Sequence, residues 1–236
     1  MFYGYDPTFI LLIPAIIFTM VAQGKVKSAY AKYSQIPTRR GLTGGEVARR
    51  ILDSNGMSHV PIEVIQGQLT DNYDPTKDVM HLSREVYSGT SIASVSIAAH
   101  ESGHAIQDAR EYSFLKFRVS MVPVVNLVSG ASWPLIIIGI LLVAMGSVQT
   151  AGIGNMLLNL GIVAFCIVVL FHTVTLPVEF NASSRAIKQL ESLGIIEGDE
   201  IRGAKKVLSA AAMTYVAALA VSVMNLIRIL LIRGRQ

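Results

Sequence analysis

The sequence predicts a mainly α-helical integral membrane protein with about four transmembrane helices and a small α+β domain. Three observations carry this reading. Of 236 residues 52% are hydrophobic and 15% charged, against about 25% charged in an ordinary soluble domain. Four long apolar runs punctuate the chain, and mean hydropathy is +0.50. The polar remainder is concentrated between them, and it contains His100-Glu101-Ser102-Gly103-His104.

The elements follow in order. An apolar run at 9–22 lacks a basic segment before it and has Lys25 and Lys27 after it, which favours a retained anchor, 1–23, over a cleaved signal. The polar stretch 24–116 forms the α+β domain. Within it Thr43-Gly44-Gly45-Glu46 has capping-box spacing and opens an amphipathic helix through Leu52, stopped at Asn55-Gly56. Val60 to Ile65 and Val79 to Leu82 read as short strands, and 67–77, with Asp74-Pro75, as turns. The stretch 90–109 reads as one helix rich in small residues. A second apolar region lies within 117–149. As one helix it would be about 50 Å long, more than a bilayer core needs, so Ser129 to Pro134 is expected to break it. A third runs over 155–176. The glycine-rich 147–154 makes 117–176 a transmembrane hairpin. The segment 177–206 is polar and helical, and 207–236 holds the last span and a basic tail.

Basic residues set the expected topology. Residues 24–118 hold 12 of the 20 Lys and Arg, 177–206 hold 5, and Arg228, Arg233 and Arg235 lie near the C-terminus. Four spans put both polar segments on one side, which the charge excess makes cytoplasmic. The single cysteine, Cys166, excludes a disulfide scaffold and a cysteine zinc site. No basic stripe is interleaved with aromatics, so nucleic acid is not an expected partner. The expected partners are the lipid bilayer and a peptide or protein substrate.

His-Glu-x-x-His on a helix puts its two histidines on one face, where they grip one metal ion. Glu101 lies beside that ion and acts on its water. A catalytic zinc needs a third protein ligand and an open position. His59 follows a turn and His81 alternates on a strand, and both read as ordinary polar residues. Asp108, one turn past His104, reads as a surface or supporting carboxylate. His172 lies inside a span, and seven helical residues separate it from Glu179 by about 10 Å, too far for both to bind one ion. Glu179 is the better ligand, because two histidines and a glutamate form an established catalytic zinc set.

Two segments, Ala98 to Gln107 and Leu176 to Ala186, resemble YugP-type bacterial membrane zinc metallopeptidases. Asp74-Pro75, Leu82-Ser83 and Ala210 to Ala217 fit as well, so the resemblance covers nearly the whole chain. It implies one Zn2+ held by His100, His104 and Glu179, with Glu101 as base, in a multi-pass protein of the bacterial cell membrane. A wider similarity is to HtpX-type membrane proteases, which also place a transmembrane hairpin between the His-Glu-x-x-His helix and the ligand glutamate. Many of those carry an aspartate four residues after that glutamate, where this chain has Ser183.

The expected function is therefore zinc-dependent endopeptidase action on membrane or membrane-adjacent proteins, by a zincin-like domain. Glu101 moves the proton, and Tyr215 and Arg185 are candidate oxyanion donors. Their plainer readings are an interfacial aromatic and a surface charge. Val79 to Ser83 is the candidate edge strand for an extended substrate. The competing function is a non-proteolytic membrane protein with a structural or regulatory zinc.

Overall fold

The computed structural model describes residues 7–145 and 147–234. Residues 1–6 of the expected anchor, Gly146, and 235–236 of the basic tail, with Arg235, lie outside them. The described chain is mostly helical, with one small mixed sheet. After a 3-10 turn at Pro7–Leu12 come α1 (Ile13–Tyr33), α2 (Gly44–Ser54), β1 (Ile62–Ile65), β2 (Asn72–Asp74) and β3 (Val79–Ser83). They are followed by α3 (Arg84–Ser88), α4 (Ile92–Ala109), α5 (Ser113–Ala144), α6 (Val148–Ser192) and α7 (Asp199–Arg233). Among the described residues four helical stretches are long and apolar enough to cross a membrane: Thr8–Tyr33, Ser113–Ala144, Val148–Ser192 and Asp199–Arg233.

The chain divides into two compact units. One comprises Met1–Val21, Ser120–Thr175 and Tyr215–Gln236; the other comprises Ala22–Val119 and Leu176–Thr214. In the first, α5 and α6 approach closely because small residues line their seam. A Cβ on Gly139 would lie 2.7 Å from the Leu158 nitrogen, and one on Gly161 would lie 3.0 Å from the Ile136 nitrogen. Ile136, Leu158, Ile162, Phe165 and Ile229 fill the adjoining apolar cluster.

Two expectations about the spans are corrected here. The predicted break at Ser129 to Pro134 does not occur, since α5 is continuous through both Pro123 and Pro134. Likewise the third span, expected over 155–176, does not end before Pro177: α6 runs through it as one 45-residue helix. Proline in an apolar helix leaves carbonyls that local adjustments and hydroxyls satisfy again.

The second unit holds the sheet and the motif helix. The capping box of α2 forms, with the Glu46 amide donating to the Thr43 hydroxyl and the Thr43 amide to the Glu46 carboxylate. The apolar face of α2 (Val47, Ala48, Ile51, Leu52) is fully buried, in one cluster with Val95, Ala98 and Ala99 of α4 and Ala186 and Leu190 of α6. Ser91 caps α4 by accepting from the Ser94 amide. The sheet order is β1-β3-β2, with β3 parallel to β1 and antiparallel to β2. The expectation that Val79 to Ser83 is an edge strand is therefore wrong: β3 is central. The edge on the far side of β3 from β1 is β2, inside the segment read as turns. Three residues rich in Asn and Asp carry little strand signal by themselves, and pairing with β3 supplies what propensity lacks.

Candidate metal centre

The candidate metal-binding side chains come from two elements of the second unit. α4 carries His100 and His104, one helical turn apart on one face, with Glu101 next to His100 and turned off that face. α6 brings Glu179 to that face, and the contact is close because Gly103 has no side chain. A Cβ there would sit 2.5 Å from the Ala182 carbonyl oxygen. His100 Nε2 lies 3.3 Å and His104 Nε2 3.7 Å from Glu179 Oε2. The three side chains are 14%, 11% and 3% exposed. Among the described residues this is the one group of three or more His, Cys, Asp or Glu whose ligand atoms converge, all within 4.8 Å of one another.

Hydrogen bonds define which nitrogen of His104 faces the cluster. Gln107 Nε2 donates to the Val178 carbonyl at 2.8 Å and to Asn181 Oδ1 at 3.0 Å. Its Oε1 is then the acceptor for His104 Nδ1–H at 3.0 Å. In the neutral ring, Nε2 is left as a bare lone pair. Nδ1 of His100 has Ser183 Oγ at 3.2 Å, which leaves its Nε2 facing the cluster. Two imidazole Nε2 atoms and a carboxylate oxygen thus converge on one spot. The spacing suits a cation, since two ligands each about 2 Å from a tetrahedral ion stand roughly 3.3 Å apart. The donor set also fits zinc.

Glu101 points elsewhere. Its Oε2 accepts the Tyr73 backbone N–H at 3.1 Å, from the free edge of β2. Burial pushes its carboxyl up to about 7, a value suited to proton transfer near neutral pH. The Tyr73 hydroxyl lies 2.7 Å from Asp78 Oδ1 and 2.9 Å from Asp108 Oδ2. Burial and the two aspartates push that phenol far above its ordinary value, so it stays a donor. β2 is thereby pinned to α4 at two points.

The other sequence candidates fall outside the cluster. His59 pairs with Asp78 at 3.2 Å, and His81 lies between Asn72 and Glu63. Asp108 serves Tyr73. His172 belongs to the other unit, as does Tyr215 on α7. Arg185 Nε donates to Asn181 Oδ1 at 2.7 Å, so it reaches His104 only through Asn181 and Gln107. Sequence reasoning assigned no role in the site to Gln107, Tyr73 or Arg118, which donates to Glu179 Oε1 at 2.8 Å. Gln107 had a readable signal, three residues after His104 on the same helix. Arg118 and the Tyr73 amide had none.

No solved structure matches this chain. A curated relative, "Putative membrane protease YugP" of Bacillus subtilis (strain 168), is 48% identical over 222 residues, covering 94% of each chain. The sequence pattern of one family, described as "Putative neutral zinc metallopeptidase", matches residues 8–234. Span and identity together show that the chain belongs to this family of zinc metallopeptidases.

Proposed function

We propose that the protein is a membrane-embedded zinc endopeptidase, with His100, His104 and Glu179 holding one Zn2+ and Glu101 as general base. The observation that carries this is the convergence of three electron-rich ligand atoms within 4.8 Å, beside a buried glutamate outside the ligand set. Zinc, when bound, polarises the scissile carbonyl and lowers the pKa of water. Glu101 accepts the proton of the attacking water and passes it to the leaving amine nitrogen as the C–N bond breaks. The Tyr73 amide keeps the Glu101 carboxylate aimed through that transfer. Gln107 and Ser183 hold the imidazoles with Nε2 forward. A His-Glu-x-x-His helix beside a small mixed sheet is a zincin-like arrangement.

The same reading assigns a substrate class. Glu179 follows within one helical turn of Leu176, where the apolar run of α6 ends. A ligand so close in sequence to a span favours substrates that are membrane proteins or membrane-adjacent segments. The basic excess of 24–118 and 177–206 favours the cytoplasmic face of the bacterial cell membrane.

Metal analysis beside a peptidase assay tests the proposal. Detergent-purified wild type is expected to hold one zinc per chain, and chelator-stripped protein is expected to recover hydrolysis of an unstructured protein substrate on zinc addition. His100→Ala and Glu179→Ala should lose the metal. Normal zinc occupancy in Glu179→Ala would remove Glu179 as a ligand. Zinc at full occupancy with no hydrolysis would favour a structural metal instead. Gln107→Leu should weaken zinc affinity by about 10–100-fold, the usual effect of removing a partner that orients a metal-binding histidine. Chelator competition reads this directly, and unchanged affinity would contradict the role of Gln107.

A further inference from the structure

The two oxygens of Glu179 have different partners. Oε2 faces the two histidine nitrogens, while Oε1 accepts from Arg118 Nη1 at 2.8 Å. Arg118 lies near the start of α5, in the same compact unit as Glu179. Its side chain is 30% exposed where that of Glu179 is 3%. The guanidinium is charged at every accessible pH, so the buried carboxylate has a cation on one oxygen at all times.

Building on the proposed zinc site, we propose that Arg118 is a positioning residue of the metal centre. By holding Oε1, it presents Oε2 alone to the ion. The consequence lies in the coordination number. Two histidines and one carboxylate oxygen leave a tetrahedral ion with one open position, which a catalytic zinc requires. A carboxylate free to turn would offer both oxygens and crowd that position. Arg118 also balances the charge of Glu179 before metal arrives, so the three ligands stay gathered in the metal-free protein. A lysine supplies the charge without the planar fork, and a methionine supplies neither.

The experiment compares wild type with Arg118→Lys, Arg118→Gln and Arg118→Met in the full-length, detergent-purified protein. Chelator competition measures zinc affinity. The visible spectrum of the Co2+-loaded protein reports coordination number, because five-coordinate cobalt absorbs more weakly than tetrahedral cobalt. Arg118→Met is expected to bind zinc about 10–100-fold more weakly and to show a weakened cobalt band. Arg118→Lys should recover part of the affinity. A purely structural role would lower thermal stability but leave the cobalt band of the folded protein intact. Where Arg118→Met fails to fold, Arg118→Gln and Arg118→Lys give the same readouts. Wild-type affinity and an unchanged cobalt band in the folded variants would overturn the inference while the zinc reading stands. A wild type that takes up no zinc would overturn both.

Discussion

Glu101→Gln is expected to reduce peptide hydrolysis by about 10²–10⁴-fold, the usual worth of a general base, with zinc content unchanged. Glutamine has the same shape, and its carbonyl oxygen can still accept the Tyr73 N–H now bound by Oε2. It cannot accept a proton from water. Glu101 is outside the three converging ligands, so the metal should remain. Stability of the metal-free protein provides a second readout. Burial raises the Glu101 carboxyl from 4.5 to about 7, so the folded state binds its proton more tightly than the unfolded chain does. Below pH 4.5 both states are protonated and the group is neutral in stability. As pH rises towards 7 the penalty for ionising it in the fold grows to ~3 kcal/mol, then stays constant. Metal-free Glu101→Gln should therefore melt above wild type at pH 7.5 and close to it near pH 4. Loss of zinc in the variant, or full activity, would remove Glu101 from its assigned role.

Gly103→Ala is expected to weaken zinc binding at least about a hundredfold. In an open helix this change would stabilise by roughly 1 kcal/mol. Here the added methyl would lie 2.5 Å from the Ala182 carbonyl oxygen and 3.1 Å from its carbon. Those are backbone atoms of α6 and cannot rotate aside. The two helices must separate by several tenths of an ångström, and Glu179 is less than one turn from Ala182. Metal–ligand distances tolerate only about 0.2 Å, so the clash becomes a loss of affinity. Gly130→Ala in α5 is the control. It meets nothing within 4 Å, and zinc binding should be unchanged. Equal zinc affinity in Gly103→Ala would show that the α4–α6 approach can relax.

The parts of the site legible in the sequence are those set by short-range geometry. His100 and His104 share a face because of helix periodicity, and the capping box of α2 is a three-residue pattern. Glu179 was singled out because two histidines and a glutamate form an established catalytic zinc set, and the fold brings its carboxylate to the two histidines. The α5 and α6 helices show the limit. Prolines at 123, 134 and 177 argue for breaks in an isolated peptide, but both helices run through them. β2 shows the same limit from the other side. Asn72-Tyr73-Asp74 becomes a strand only because β3 lies beside it, and that pairing moves the free edge from β3 to β2.

By itself, then, the sequence determined the chemistry available: four apolar helices, a two-histidine helix, and a glutamate within reach of a membrane span. Those depend on residue type and spacing along the chain. The tertiary structure decided how that chemistry is aimed. It chose Oε2 of Glu179 for the histidines and Oε1 for Arg118, set the His104 tautomer through Gln107, and placed the Tyr73 amide on Glu101. Each of these is a hydrogen bond or ion pair between a side chain and a partner whose position only packing supplies. Three of them join segments far apart in the chain, and His104–Gln107 takes its direction from Val178 and Asn181 on α6. Periodicity along the chain carries no information about such partners.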